Sequence, residues 1–350
     1  MIVLYILLAV LVFGAMIFFH ELGHFAFAKI FKVKINEFSI GMGPKLLSKK
    51  FKDEVIYSIR LFPIGGFVSM AGEDDESDDP NSYDKKPAWQ RFIIVIAGAT
   101  MNILIAVVII FFLTITVPRY GTTTVHSVPD DFSFESGLLA GDEIIKVNNT
   151  SVKTLDELSY EIMYNGNKPI DLTVVRNGEK QVLKNIQFPT FEQDGEKFGK
   201  INFTIKGEDR TFLTIIKNTY HSSVSTVKMI WDSLIGLLTG RFGINQVSGP
   251  IGVTGAIVQV AKYGPRQFFY MVAVISMNLG VFNLLPIPAL DGGSLVFTGI
   301  EMIFKKRVPQ KIEQNIKFAF LILLLALVVF VSIKDVITLI LWGRYEIQWD

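Results

Sequence analysis

Long apolar runs alternate with polar stretches along this chain of 350 residues. Residues 2–31, 92–117 and 318–342 are nearly all apolar, and each run exceeds the roughly 20 residues that a membrane-spanning helix needs. A fourth run, 267–304, is too long for one straight span and contains two prolines and a pair of glycines. The pattern therefore predicts four transmembrane helices, of which the third along the chain stops within the membrane.

The composition agrees with a membrane protein, because 50% of the residues are hydrophobic, only 19% are charged and the mean hydropathy is +0.41. A net charge of +1 gives no indication of a nucleic-acid partner. The absence of cysteine excludes disulfides, thiolate metal sites and thiol catalysis. Any metal would have to be held by carboxylates and by the four histidines.

The polar loops indicate the orientation of the helices. Basic residues are concentrated in the loop between the first two runs and again at 305–311, and four spans place both loops on the same side. The positive-inside rule makes that side cytoplasmic. Both termini and the long middle loop, 118–210, then face outward, and only this loop is long enough to fold as a separate domain.

The first apolar run contains the sequence His20-Glu21-Leu22-Gly23-His24. On a helix, positions i and i+4 lie on one face, so both imidazoles can reach one zinc ion while Glu21 faces a water bound to it. A polar cluster that bonds helices together is the alternative. An intramembrane Glu between two histidines requires a compensating cation, and a metal supplies one.

Catalytic zinc commonly has three protein ligands, and Asp291 is the candidate for the third. It is an acid within the run 267–304, it follows Pro286 and Pro288, which prevent helix continuation, and it precedes two glycines that permit sharp turns. The alternative role for Asp291 is an N-cap. His126 and His221 lie outside the apolar runs and are predicted to be surface residues.

The loop at 55–72 alternates apolar and polar residues on both sides of a turn that contains Gly65 and Gly66, and Phe67 begins the returning strand. This pattern predicts a β-hairpin whose edge could bind a substrate strand. A surface hairpin without a substrate role is the alternative. In the middle loop, strands are predicted at 143–147 and 171–176 around a helix near 155–164, and an amphipathic helix at 212–234 either lies on the outer membrane surface or packs on this domain.

Two motifs together carry a family resemblance: the His20–His24 sequence in the first span, and Asn283-Leu-Leu-Pro-Ile-Pro-Ala-Leu-Asp291-Gly in the third. The chain resembles the site-2 protease family of intramembrane metalloproteases, in its bacterial RseP/RasP branch. Residues 247–252 resemble a segment of that branch. Residues 137–148 resemble the core signature of a PDZ domain, with Gly141-Asp142 at a turn.

The resemblance implies a Zn²⁺ ion held by His20, His24 and Asp291, with Glu21 as the catalytic base. It implies that Asn283 binds the substrate or its oxyanion, although an interhelical hydrogen bond is the alternative for this side chain. The remaining residues assigned to substrate binding lie in the hairpin and in the interrupted helix: Gly65, Gly66, Phe67, Pro286 and Pro288. The implied substrates are single-pass membrane proteins, such as anti-sigma factors, or remnant signal peptides.

The expected fold is a polytopic α-helical membrane protein with four transmembrane helices, a membrane-associated β-hairpin and an inserted extracytoplasmic α+β PDZ domain, in a bacterial cell membrane and in contact with its lipid. The expected parts are two halves of a protease core at 1–118 and 263–350, the PDZ domain at 119–208, and an amphipathic linker that returns to the membrane at 209–262. The PDZ domain would bind peptides or exclude bulky substrates. Two rival functions are a transporter that uses the buried acids and histidines as an ion relay, and a noncatalytic scaffold.

Overall fold

The computed structural model describes residues 2–73, 77–193, 195–243 and 246–346. The helices are α1 Ile2–Ile30, α2 Ala88–Ile115, α3 Asp130–Ser136, α4 Leu155–Asn165, α5 Phe212–Leu238, α6 Pro250–Lys262, α7 Pro265–Asn283, α8 Asp291–Phe304 and α9 Gln310–Glu346. The strands are β1 Ile35–Lys50, β2 Ile56–Met70, β3 Arg119–Ser127, β4 Glu143–Val147, β5 Thr150–Ser151, β6 Ile170–Arg176, β7 Glu179–Ile186, β8 Thr190–Gln193, β9 Glu196–Gly199 and β10 Thr204–Asp209. The chain forms two compact units, one from residues 1–106 and 247–350 and the other from residues 107–246.

Three helices of the described chain are long and apolar enough to cross a membrane: Leu7–Ile30, Ala88–Ile115 and Gln310–Thr338. They coincide with three of the four predicted runs. The remaining run forms two shorter helices, α7 and α8, which are separated by residues 284–290. The predicted interruption is therefore confirmed, because the prolines at 286 and 288 cannot continue a helix.

Helices α1 and α2 approach each other closely at positions with small side chains. A Cβ atom added to Gly23 of α1 would lie 2.4 Å from the carbonyl oxygen of Ala97 in α2. Because that atom belongs to the backbone, a larger residue at position 23 would have to push the two helices apart. Small residues at such a crossing are what allow membrane helices to pack backbone to backbone.

Strands β1 and β2 form a mixed sheet, and the predicted two-stranded hairpin at 55–72 is wrong. Residues 37–40 of β1 pair with 56–59 on one side and with 66–69 on the other, while residues 45–50 pair with 56–60. The first part of β1 therefore lies between the two halves of β2. The prediction failed because an alternating pattern indicates a strand but does not reveal which distant strand will be its partner.

A partly buried carboxylate joins the strands of this sheet. Glu37 accepts hydrogen bonds from Ser58 Oγ at 2.5 Å and from Arg60 Nη2 at 2.8 Å, and Lys45 Nζ lies 2.9 Å from its other oxygen. Burial alone would raise the pKa of Glu37, but the bonds from Lys45, Ser58 and Arg60 outweigh it and lower the pKa to about 2. The carboxylate is therefore ionised at neutral pH and holds neighbouring strands together.

The sheet packs on α1 through an apolar cluster. Its buried members include Phe38 and Val68 from the sheet, Ala28 from α1 and Ile94 from α2. Burial of a large apolar side chain is worth about 1.5–3 kcal/mol, so this cluster fixes the sheet against the helices. As a result, residues 66–70 run beside the part of α1 that contains His20, Glu21 and His24.

In the second unit, five strands follow one another in the order β10-β3-β4-β6-β7, and β5 pairs with β4. Helices α3 and α4 and the strands enclose an apolar core that includes Leu158, Ile162 and Leu172. The predicted strands at 143–147 and 171–176 and the helix near 155–164 are confirmed as β4, β6 and α4.

The turn before β4 depends on a glycine and a buried ion pair. Gly141 has φ +94°, a conformation that side-chain-bearing residues rarely adopt. Asp142 is completely buried and binds Arg176 through two hydrogen bonds of 2.7 Å. The same carboxylate accepts the backbone N–H of Leu139 at 2.9 Å, so it fixes both the turn and the neighbouring strand β6.

Helix α5 packs on α4 through its polar face, in agreement with the alternative that the amphipathic helix packs on the domain of the middle loop. His221 Nδ1 lies 2.8 Å from Glu157 Oε1, and the Tyr160 hydroxyl donates to Asp232 at 2.8 Å. The apolar residues of α5 lie on the opposite face and are exposed: Phe212, Leu213, Ile216, Tyr220, Val224, Val227, Trp231, Ile235 and Leu238. Arg210, just before α5, donates to the carbonyl of Ile115 at 2.6 Å and so ties the start of α5 to the end of α2.

Candidate metal centre

Three predicted ligands meet at one point between α1 and α8. His20 Nε2 lies 3.2 Å from Asp291 Oδ2, His24 Nε2 lies 3.3 Å from the same oxygen, and the two Nε2 atoms are 3.2 Å apart. These three residues form the only group of three or more potential metal ligands among the described residues. The two histidines are one helical turn apart, whereas Asp291 lies 267 residues after His24 along the chain.

The triangle fits a zinc ion. Four ligands at about 2.0–2.1 Å in a tetrahedron lie about 3.3–3.4 Å from one another, close to the observed separations. Nitrogen and carboxylate oxygen are donors that zinc accepts. Three protein ligands also leave one tetrahedral position for water or substrate, which is the arrangement of catalytic rather than structural zinc sites.

Glu21 lies between the imidazole pair and the sheet. Its Oε2 atom accepts the backbone N–H of Val68 at 3.1 Å, and a Cβ added to Gly66 would lie 3.6 Å from Glu21 Cγ. Glu21 is not one of the three clustered ligands. The Val68 N–H, which donates to it, is therefore directed at α1 and not at β1.

Helix α2 forms the wall behind the imidazoles through three residues spaced four apart. His24 Nδ1 donates to the carbonyl oxygen of Ile94 at 2.8 Å, and the Asn102 amide nitrogen lies 3.3 Å from His20 Nδ1. Gly98 lies between them, and a Cβ there would be only 2.3 Å from His24 Nε2 and 2.9 Å from His20 Cε1. The missing side chain at Gly98 therefore leaves the space that the rings occupy.

Asp291 is the first residue of α8 and does not act as its N-cap, since Leu290 occupies that position. Gly292 and Gly293 are helical, so the predicted turns at these glycines are wrong. Their role is close packing, because a Cβ on Gly292 would lie 1.9 Å from the carbonyl oxygen of Leu285 and one on Gly293 would lie 2.4 Å from Pro288 Cα. The interrupted segment thus folds directly onto the first turn of α8 and fixes Asp291.

A cavity of about 240 Å³ opens on the three ligands and Glu21. Many of its other lining side chains are polar or charged: Glu73, Arg91, Ser294, Thr298, Arg307, Gln310, Glu313, Gln314 and Lys317. Arg91 and Glu301 form a 2.5 Å ion pair in the same region. Polar side chains among apolar helices are tolerated where they line a hydrated cavity, and this lining is of that kind.

The residues predicted to bind substrate occupy two places. Gly66 lies beside Glu21, as described, whereas Gly65 has φ +91° and faces Met42, and the Phe67 ring packs under the Arg60 guanidinium. Asn283 ends α7, and Pro286 and Pro288 lie in the segment that follows it. No hydrogen bond joins these last three to the imidazole pair within the described residues.

The sequence interpretation missed the three residues of α2. Asn102 is an amide within an apolar run, and that mismatch could have indicated a buried role. Gly98 and the Ile94 carbonyl give no such signal, because a glycine in a membrane helix is common and a backbone carbonyl is present at every residue.

Two imidazoles and a carboxylate directed at one point, with a glutamate beside them and apolar helices around them, are the arrangement expected of a membrane metallopeptidase. A family profile described as "Peptidase family M50" matches residues 8–327, and the chain belongs to this family. The protein is a zinc metalloprotease of a bacterial membrane. Family membership decides against the transporter and scaffold alternatives.

The relatives extend over nearly the whole chain. A provisionally named zinc metalloprotease of Clostridium perfringens is 36% identical over 335 residues, which are 95% of this chain and 99% of the relative. A similarly named protein of Clostridium acetobutylicum is 38% identical over 339 residues, covering 95% and 97%. The regulator of sigma-W protease RasP of Bacillus subtilis is 30% identical over 416 aligned positions, covering 93% and 97%.

Proposed function

We propose that this zinc metalloprotease cleaves single-pass membrane proteins within or next to their transmembrane segments, in regulated intramembrane proteolysis. The observation that carries the proposal is the ligand triangle with Glu21 beside it, set in helices of membrane-spanning composition. By analogy with the relative named regulator of sigma-W protease, the substrates are membrane-bound anti-sigma factors, with remnant signal peptides as a second group.

In this proposal His20, His24 and Asp291 hold the zinc ion. Zinc, when bound, supplies Lewis-acid polarisation of the scissile carbonyl and makes a water molecule more acidic. Glu21 accepts the proton of the attacking water and then delivers it to the leaving amide nitrogen. Because Glu21 lines the same cavity as the polar side chains, water in that cavity would reach it without crossing lipid.

The substrate is proposed to bind as a strand along residues 66–70. A helical substrate must unwind first, because its scissile carbonyl is otherwise engaged in a helical hydrogen bond. No other strand pairs with the outer side of this segment in the described chain, and its Val68 N–H reaches Glu21. An added strand would therefore gain backbone hydrogen bonds next to the catalytic carboxylate.

The segment around the interrupted helix is proposed to complete the substrate site. Asn283 would donate its amide N–H to the substrate or to the oxyanion, and Pro286 and Pro288 would contact the unwound chain. Support comes from position, because Pro286 and Pro288 belong to the segment that packs on the first turn of α8, and Asn283 immediately precedes that segment. The third predicted span, α7 with α8, would give the protein four spans and place both termini outside the cytoplasm.

The second unit is proposed to be an extracytoplasmic PDZ domain, which either binds extended peptides or excludes substrates with bulky outer domains. The order of its strands and the buried Asp142 at the Gly141 turn support this assignment. The exposed apolar face of α5 is proposed to lie on the outer lipid surface, because the start of α5 is tied to the end of the membrane helix α2. A variant without residues 119–208, tested on substrates with intact outer domains, distinguishes the filter from the peptide binder.

The test is a cleavage assay with the purified full chain in detergent and a single-pass membrane protein as substrate. We expect cleavage that a zinc chelator abolishes and added zinc restores. Glu21→Gln should keep stoichiometric zinc but lose turnover by at least about 100-fold, because an amide cannot accept the proton. Turnover by this variant at the wild-type rate would reject the assignment of Glu21.

A further inference from the structure

Asn102 is a buried polar residue beside the metal centre that the mechanism has not used. The whole residue is 0% exposed, although it belongs to the apolar helix α2. Its amide nitrogen lies 3.3 Å from His20 Nδ1, and its amide oxygen has no hydrogen-bond partner within the described chain. A buried acceptor without a partner costs about 1–3 kcal/mol, so this arrangement calls for a physical reason.

The tautomer of His20 provides that reason. His20 directs Nε2 toward Asp291 and His24, so Nε2 must supply the lone pair that binds zinc. A neutral imidazole that binds metal through Nε2 carries its proton on Nδ1, and Nδ1 is then a hydrogen-bond donor. The amide nitrogen of Asn102 is also a donor, so two donors would face each other across 3.3 Å.

A half-turn of the Asn102 amide resolves the conflict. The amide oxygen and nitrogen are nearly equal in size, so the half-turn exchanges them without other movement. The oxygen that lacks a partner then accepts the His20 Nδ1–H. We propose that Asn102 is a positioning residue that holds His20 in the zinc-binding tautomer and ring orientation through this hydrogen bond.

The other imidazole ligand, His24, is also held by a hydrogen bond from its Nδ1 to an oxygen of α2. His24 Nδ1 donates to the Ile94 carbonyl at 2.8 Å, and Ile94 lies two helical turns before Asn102 on the same face of α2. One helix thus provides the outer partner of both imidazoles, by a backbone oxygen for His24 and by a side-chain oxygen for His20. Outer partners of this kind change metal affinity by about 10–100-fold when they are removed.

Only the His20 partner can be altered by mutation, and two substitutions separate the possible roles. Asn102→Leu keeps the approximate volume and removes the acceptor, so we expect zinc to bind about 10–100-fold more weakly. Asn102→Asp keeps an acceptor, so we expect affinity within about threefold of the wild type. If the amide nitrogen were the group that serves His20, Asn102→Asp would bind zinc as weakly as Asn102→Leu, and the proposal would be overturned.

Ser276→Ala is the matched control. Ser276 is buried in α7 and donates to the backbone carbonyl of Asn102 at 2.9 Å, so its loss weakens packing at the same place without touching His20. We expect this variant to bind zinc like the wild type. A loss of affinity equal to that of Asn102→Leu would show that Asn102 acts only through helix packing.

The readouts are zinc affinity, from competition with a chelator, and the ¹⁵N spectrum of imidazole-labelled full chain. The chain has four histidines, so the His20 signals can be assigned by comparison with single variants. We expect zinc-loaded wild type to show His20 protonated at Nδ1 in a hydrogen bond that Asn102→Leu loses. A His20 protonated at Nε2 would overturn the proposal.

This inference rests on the proposed role of His20 as a zinc ligand, and the same measurements separate the two. A wild-type protein without stoichiometric zinc would reject the proposed metal centre itself. A wild type that holds zinc, loses it in His20→Ala and keeps it unchanged in Asn102→Leu would reject the role of Asn102 alone.

Discussion

Gly98→Ala adds one methyl group to the wall behind the imidazole pair. The new Cβ would lie 2.3 Å from His24 Nε2 and 2.6 Å from His24 Cε1. Ordinary contact between such atoms is about 3.5 Å, so the methyl would overlap the ring by about 1 Å. His24 cannot retreat and keep its place, because its Nδ1 is bonded to the Ile94 carbonyl at 2.8 Å on the same helix.

The expected magnitude follows from the cost of overpacking. Inserting a methyl into a filled site costs about 1–3 kcal/mol. If the ring relieves that strain by moving off the metal position, zinc binding weakens by about 5–150-fold, since each 1.4 kcal/mol is a factor of ten. The metal-free protein should lose less thermal stability than this overpacking cost, because alanine is favoured over glycine within a helix by about 1 kcal/mol and so offsets part of it.

The assay is chelator competition for zinc on purified full-length chain in detergent, together with thermal unfolding of the metal-free form. Gly299→Ala in α8 is the matched control, because a Cβ at that glycine meets no atom of the described residues within 4 Å. Its zinc affinity should equal that of the wild type. If Gly98→Ala also bound zinc within twofold of the wild type, the reasoning that Gly98 makes room for two ligating rings would be refuted.

Three further predictions test the elements that support the site. Val68→Pro removes the N–H that Glu21 accepts, so the cleavage rate should fall at least about tenfold while zinc affinity stays unchanged. A loss of zinc affinity as large as the loss of cleavage would contradict a substrate-strand role. Asp142→Ala should destabilise the second unit by about 3–5 kcal/mol, measured by hydrogen exchange of the full chain, because it breaks a buried ion pair. The control Asp209→Ala removes an exposed ion pair and should cost at most about 1 kcal/mol. Equal effects of the two substitutions would refute the burial argument. Because its folded pKa is about 2 and its ordinary value 4.5, Glu37 contributes stability that is complete above pH 4.5 and is lost as the pH falls toward 2. The difference in unfolding temperature between wild type and Glu37→Gln should therefore shrink over that interval, and a constant difference would contradict it.

The local parts of the site follow from the sequence because their geometry is local. His20 and His24 are one turn apart on any helix, so their convergence on one point needed no knowledge of the fold. Asp291 was identified because an acid in an apolar run is rare and requires a partner. The interruption at 284–290 followed from proline, which cannot continue a helix whatever its surroundings.

Tertiary structure decided what depends on distant pairing. The position of β1 between the two halves of β2 is a matter of strand pairing, which a periodic pattern leaves open. Gly98 makes space for the rings and Asn102 is a partner of His20 only because α2 crosses α1 at Gly23. The crossing also requires α2 to be rotated about its axis so that these two residues face α1. A helical sequence fixes which residues share a face, whereas the neighbour that this face meets is set by packing of the whole core.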